Sequence, residues 1–203
     1  MRLSTVQMDA IQELGNIGAA HAATTLSRVL MSPVEMNVPK IRVIDVAHLG
    51  NYIGEESAAL IVFELQGEIP NGGFIIFYIS RASAVRLTNM MLGWTDPDRT
   101  LNEIDESALL EIGIIMVSAF LDATAELLGP VMLPSPPALI IDMAHAAMQS
   151  LIAQMHEEID EVVLFSTELA CEEYRIDGDI ILMPEISTLH RIVGLLEKLM
   201  NTG

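Results

Sequence analysis

The chain has 203 residues, 51% of them hydrophobic, enough apolar material for one sizeable core and too much for a disordered segment. Its 28 acidic residues against 10 basic ones give a formal net charge of -18, which repels phosphate backbones and anionic lipid and disfavours nucleic-acid binding. The densest apolar run, Ile112 to Leu121, is fenced by Glu111 and Asp122 and falls short of the roughly 18 residues of a membrane span, so no membrane insertion is expected.

The opening residues Met1 to Thr5 lack the basic-then-apolar pattern of an export signal, and Cys171 alone forms no internal disulfide. Both fit a cytoplasmic location, with Cys171 read as a small buried hydrophobe in a strand. Ser4-x-x-Gln7 fits a capping box, and Val6, Ala10, Ile11, Leu14 and Ile17 then recur at helical spacing, so a helix is predicted from Ser4 to near Met31, before Ser32-Pro33. Strands are predicted over Asn37 to Asp45, Ala58 to Leu65 and Gly73 to Ile79, then a helix over Ala82 to Leu92.

Gly93 to Asp98 is a seam of turn-forming residues. Beyond it Thr100-x-x-Glu103 offers a second capping box for a helix that stops at Gly129-Pro130. Ala138 to Asp142 reads as a strand, Met143 to Met155 as a helix present only in rudiment earlier, Glu161 to Leu169 and Ile176 to Met183 as strands turned by Asp177-Gly178, and Ser187 to Met200 as the last helix.

The order repeats because the sequence does. Glu13-Leu14-Gly15-Asn16 recurs 98 positions later (111 minus 13) as Glu111-Ile112-Gly113-Ile114, and Asp9/Ser107, Leu30/Leu128 and Pro39/Pro137 keep the same offset. A single period of this length is no solenoid. It predicts an α+β fold, one domain over residues 1–203, of two pseudo-symmetric α-β-β-β-α halves (about 1–95 and 99–203) sharing one mostly antiparallel sheet with flanking helices.

Residues three apart on a helix differ by about 60° in azimuth, so Glu13 and Asn16 project from one turn with Asp9 a turn earlier. Gly15 and Gly18 weaken that helix by roughly 1 kcal/mol each, which calls for a close neighbour, either the twin helix or a partner. A carboxylate beside an amide has no nucleophile, histidine base or metal cage, which argues against proteolysis, paired-acid glycoside hydrolysis and zinc chemistry. It suits holding a water in line with phosphorus, which a neutral amide does without repelling phosphoryl oxygens. His145 and His156, eleven residues and about 16 Å apart on a helix, are too far separated to share a metal, and no protein-bound metal is expected.

Asp9-x3-Glu13-x2-Asn16-x22-Pro39 resembles the signature of the CheC/CheX/FliY family of chemotaxis phosphatases, and Ser107-x3-Glu111-x2-Ile114-x22-Pro137 resembles it everywhere except the asparagine. The resemblance implies hydrolysis of the aspartyl phosphate on the response regulator CheY. In that reading Asn16 orients the water, Glu13 contacts a regulator lysine, and the Mg²⁺ sits on the regulator rather than on this chain. The Glu111/Ile114 site is degenerate, since Ile114 neither donates nor accepts a hydrogen bond. The resemblance also implies that the helix after the second site docks the receptor deamidase CheD, which makes Met143, Ala146, Ala147 and Met148 a candidate partner face. The alternative is a noncatalytic adaptor for CheD, CheY-phosphate or flagellar-switch components.

Overall fold

Helix α1 (Thr5–Val29) starts at the anticipated cap: the Gln7 N–H donates to Ser4 Oγ at 3.2 Å, and the Ser4 N–H donates to Gln7 Oε1 at 2.7 Å. The computed structural model describes residues 4–68, 73–154, 161–171 and 174–202; Met155 and His156 therefore lie outside the described residues, as does the Cys171 side chain. After α1 come β1 (Glu35–Asp45), a 3-10 helix (Val46–Asn51), β2 (Ser57–Gly67), β3 (Gly73–Ser80) and α2 (Arg81–Leu92). The second set is α3 (Glu103–Leu128), β4 (Met132–Pro134), β5 (Ala138–Met143), α4 (Ala144–Gln154), β6 (Glu161–Cys171), β7 (Tyr174–Pro184) and α5 (Ile186–Thr202).

One antiparallel sheet runs β1-β6-β7-β3-β2, with β4 and β5 successively paired along the outer edge of β2. Each half lends its first long strand to the other half's second one, β1 to β6 and β5 to β2, while β3 and β7 pair at the centre. The halves are therefore interleaved. Both sheet faces are covered: in β2, Ala59, Ile61 and Phe63 join the core beneath α1 and α3, while Ala58, Leu60 and Val62 join a second core with Ala147 and Met148 of α4. Burial on two faces explains why β2 reads as a nearly unbroken apolar run.

The two glycines of α1 are spacers. A Cβ on Gly18 would stand 2.6 Å from the Phe120 ring of α3, and one on Gly15 would stand 2.9 Å from the Phe165 ring of β6. Those two rings meet edge-to-face, centroids 4.9 Å apart, so α1 lies closely on both its twin helix and the sheet. Helix α3 is long and apolar enough to cross a membrane, yet Leu109, Ile112, Met116, Val117 and Phe120 are buried in the core beneath α1. Its apolarity is that of a core helix.

Several local expectations are corrected. Helix α3 is capped by Asn102, not Thr100: Asn102 Oδ1 accepts from the Ile104 and Asp105 N–H groups, and Asp105 accepts from the Asn102 N–H at 2.8 Å. Asn102-x-x-Asp105 is a capping pattern of the same spacing, and the Arg99 guanidinium holds its Asp105 in place. Asp177-Gly178 is not a turn but the interior of β7, where Gly178 pairs with Ile79 and a Cβ would press on the Tyr78 carbonyl at 3.0 Å. Glycine serves there for close strand approach. Met143 is the last residue of β5 rather than the first of a helix, and the first half's rudiment of α4 is the 3-10 helix.

Candidate functional site

Along α1, Ala10, Ile11, Leu14, Gly15, Gly18, Ala19, Ala22 and Leu26 face the core, leaving Asp9, Glu13, Asn16 and Ala20 exposed on one stripe. The fold thus brings Glu13 and Asn16 together on an outward face, one helical turn wide. Glu13 and Asp9 also border a shallow cleft of about 180 Å³ with Ala10, Leu127, Leu196 and Leu199, where α1, α3 and α5 meet. His21 turns elsewhere, its Nε2 lying 3.6 Å from Glu126 Oε2 on α3.

Asn16 has a neighbour that spacing alone did not flag. Gln12 Nε2 donates to the backbone carbonyl of Val38 at 2.9 Å and to Asn16 Oδ1 at 3.4 Å. The β1–β6 register slips between Asn37 and Lys40, so Val38 lies in an irregular stretch of strand immediately before Pro39. The signal in the sequence was the i, i+4 relation of Gln12 to Asn16.

The second copy repeats the exposed stripe without the amide. Ser107, Glu111 and Ile114 are exposed on α3, Ile114 to 37%, and Ser107 returns its hydroxyl to the Glu103 carbonyl at 3.0 Å. A hydrocarbon thus stands in solvent at the equivalent of Asn16. Among the described residues no group of three or more His, Cys, Asp or Glu side chains gathers as metal ligands would.

The anticipated partner face on α4 is split. Met143 and Ala146 are exposed, Met143 to 51%, whereas Ala147 and Met148 are buried in the second core at 4% and 2% exposure. Their helical spacing reflects inward packing.

A larger cleft of about 640 Å³ brings Tyr78, Ser166 and Asp179 together with Arg86 and Arg175. Burial pushes the Asp179 carboxyl above its ordinary range, against the opposing pull of the Ser166 hydrogen bond and the nearby Arg42 charge. Tyr78 is likewise raised, first by burial and then by Glu56 and Asp179. Tyr78, Ser166, Arg175 and Asp179 lie on β3, β6 and β7, and Arg86 on α2.

Among the described residues, Glu13 and Asn16 stand on an exposed helix face, and the cleft that Glu13 borders is lined otherwise by Asp9 and apolar side chains.

Residues 6–42, the segment carrying Asp9, Glu13, Asn16 and Pro39, match the CheC-like family. Over 195 residues the chain is 23% identical to the CheY-P phosphatase CheC of Bacillus subtilis, covering 92% of this chain and 91% of that protein. It is 27% identical over 189 residues to the putative CheY-P phosphatase CheC1 of Halobacterium salinarum, covering 93% and 95%. In three dimensions it is similar to the crystal structure of Thermotoga maritima FliY, with a TM-score of 0.79 at 21% identity, spanning 98% of this chain and 100% of that one. The matched segment and the near-complete coverage of both relatives make this chain similar to the CheC-like family, and the likeness to FliY shows a shared fold.

Proposed function

We propose that this chain hydrolyses the aspartyl phosphate of the response regulator CheY, with Asn16 and Glu13 as the working pair and the Glu111/Ile114 face nearly inert. The observation that carries the reading is the exposed placement of Glu13 and Asn16 on one turn of α1, within the segment matched to the family. When CheY docks over α1, the Asn16 amide enters its phosphorylated site and holds one water in line with phosphorus. The water oxygen forms the new P–O bond as the bond to the aspartyl oxygen breaks. The aspartate leaves as carboxylate, and the water's proton goes to the inorganic phosphate released.

An amide suits this position because it hydrogen-bonds the water without adding negative charge beside the phosphoryl oxygens. Glu13 is placed to pair with a regulator lysine, since a carboxylate aimed at phosphorus would be repelled. Mg²⁺ belongs to the phosphorylated regulator, where it neutralises phosphoryl charge. The test is the decay of CheY-phosphate with this chain and with its Asn16→Ala variant.

CheD is proposed as a second partner, docking on what the fold leaves exposed near the start of α4, Met143 and Ala146. Met143→Lys with Ala146→Glu should weaken CheD binding at least tenfold, about 1.4 kcal/mol, by calorimetric titration. Unchanged affinity would remove this face from the account.

A further inference from the structure

We propose that Gln12 is a positioning residue that fixes which end of the Asn16 amide faces the substrate; the proposal rests on the reading of Asn16 given above. An exposed asparagine has a broad, nearly two-fold χ2 preference, so on a bare helix face its oxygen and its NH₂ exchange places readily. The contacts of Gln12 remove that freedom by a chain of donors and acceptors. The Val38 carbonyl only accepts, so the Gln12 group 2.9 Å from it is the NH₂. The second hydrogen of that nitrogen is left for Asn16, 3.4 Å away, and what receives it is the amide oxygen. Asn16 therefore turns Oδ1 toward Gln12 and presents its NH₂, with the free lone pair of Oδ1, to whatever docks on α1.

The anchor of this clasp is a backbone atom of a strand rather than another mobile side chain. Val38 is buried at 4% exposure, lies where the β1–β6 ladder slips, and precedes a proline, which disfavours helical backbone at that residue. The orientation of the amide is thus referred to the sheet.

The second half supplies an internal control. At the offset of 98, Gln12 corresponds to Leu110 (12 plus 98), Asn16 to Ile114, and Val38 to Pro136 (38 plus 98). Leu110 packs against the core, and the Pro136 carbonyl accepts instead from Ser135 Oγ at 3.0 Å. Where the amide has been replaced, its orienting donor has been replaced too, and the carbonyl that anchored the donor has found a local partner. The three changes are those expected if Gln12 serves Asn16 and has no separate task in the helix.

The experiment measures kcat and KM for CheY-phosphate hydrolysis with Gln12→Leu, Gln12→Lys, Asn16→Ala and the double variant Gln12→Leu/Asn16→Ala, with Tm recorded for each. Loss of one orienting hydrogen bond should lower kcat about 3- to 10-fold in Gln12→Leu with KM within about twofold of the parent. Gln12→Lys, which keeps donors for both oxygens, should recover most of that loss. In the Asn16→Ala background Gln12→Leu should change nothing further, because a residue acting through Asn16 has nothing left to orient. A parental kcat in Gln12→Leu beside a crippled Asn16→Ala overturns the clasp alone. An equal Gln12→Leu effect in both backgrounds, accompanied by a fall in Tm, also overturns it, since that marks a helix-stability role. A parental rate in Asn16→Ala overturns the catalytic reading and the clasp with it.

Discussion

Asn16→Ala should slow CheY-phosphate hydrolysis by this chain about 10²- to 10³-fold, the usual consequence of removing one hydrogen-bonding group aimed at the reacting centre. The side chain is exposed and outside the core, so folding should be little affected and Tm should move by no more than a degree or so. Binding of the phosphorylated regulator should persist, because docking area and the Glu13 contact remain, and the loss should appear in kcat rather than KM. The size of the loss depends on the second half being unable to substitute. Ile114 offers no donor or acceptor, so activity remaining in Asn16→Ala measures what the Glu111/Ile114 face retains. Phosphate release followed over time decides the matter; a rate within threefold of the parent would leave the adaptor reading standing.

Asp105→Ala should be the most damaging single change to stability away from the glycine contacts. Asp105 is fully buried and receives both terminal nitrogens of Arg99, at 2.6 and 2.7 Å. Arg99 Nε donates to Asn89 Oδ1 at 2.6 Å, its second terminal nitrogen reaches Thr88 Oγ1 at 2.7 Å, and its guanidinium lies 4.4 Å from the Trp94 ring centroid. The cluster ties α2, the seam after it and the first turn of α3 into one unit. Removing the carboxylate leaves a mostly buried guanidinium without its counter-charge and frees the Asn102 N–H, a loss of about 3–5 kcal/mol for a broken buried pair. At roughly 2–4 °C per kcal/mol for a chain of this size, Tm should fall by about 10 °C.

The pH dependence of that cluster has a definite sign. Burial pushes the Asp105 carboxyl up, but hydrogen bonds from Arg99, Thr88 and the Asn102 N–H, with the Arg99 charge, outweigh it and hold the group below the ordinary carboxylate value. Its stabilisation is complete above the ordinary value of 3.8 and is lost as pH falls below it through the depressed value. Asp179, held above that value, has the opposite slope: its buried charge is relieved as pH falls through its raised value toward 3.8. Thermal melts of the parent and of Asp105→Ala should therefore converge only in strong acid; a gap that stays constant down to pH 2 would argue against the assigned charge state.

What could be read in the sequence was whatever is local or repeated. The Ser4/Gln7 cap, the short apolar runs of β2 and β3, and the outward turn bearing Glu13 and Asn16 are each written in a few neighbouring residues. The 98-residue offset aligned Ile114 with Asn16, and both stand exposed on their helices. What escaped depends on residues distant in the chain. Asn102 rather than Thr100 caps α3 because two overlapping local patterns compete and the Arg99–Asp105 pair favours the second, and Gly178 looked like a turn because close approach of the distant β3 demands the same residue as a tight bend. The resemblance named the helix bearing Ala147 and Met148 as a partner face, but which side of that helix meets the sheet is not legible from its spacing. Gln12 was missed because its anchor, Val38, lies 26 residues away in a strand irregularity.

The most direct measurement is the structure of this chain bound to CheY carrying beryllofluoride in place of the phosphoryl group. The account predicts α1 against the regulator's active site, the Asn16 amide within about 3.2 Å of a water in line with beryllium, and the Glu13 carboxylate paired with a regulator lysine. A regulator seated on α4 or on the Glu111/Ile114 face, with Asn16 left in solvent, would contradict it.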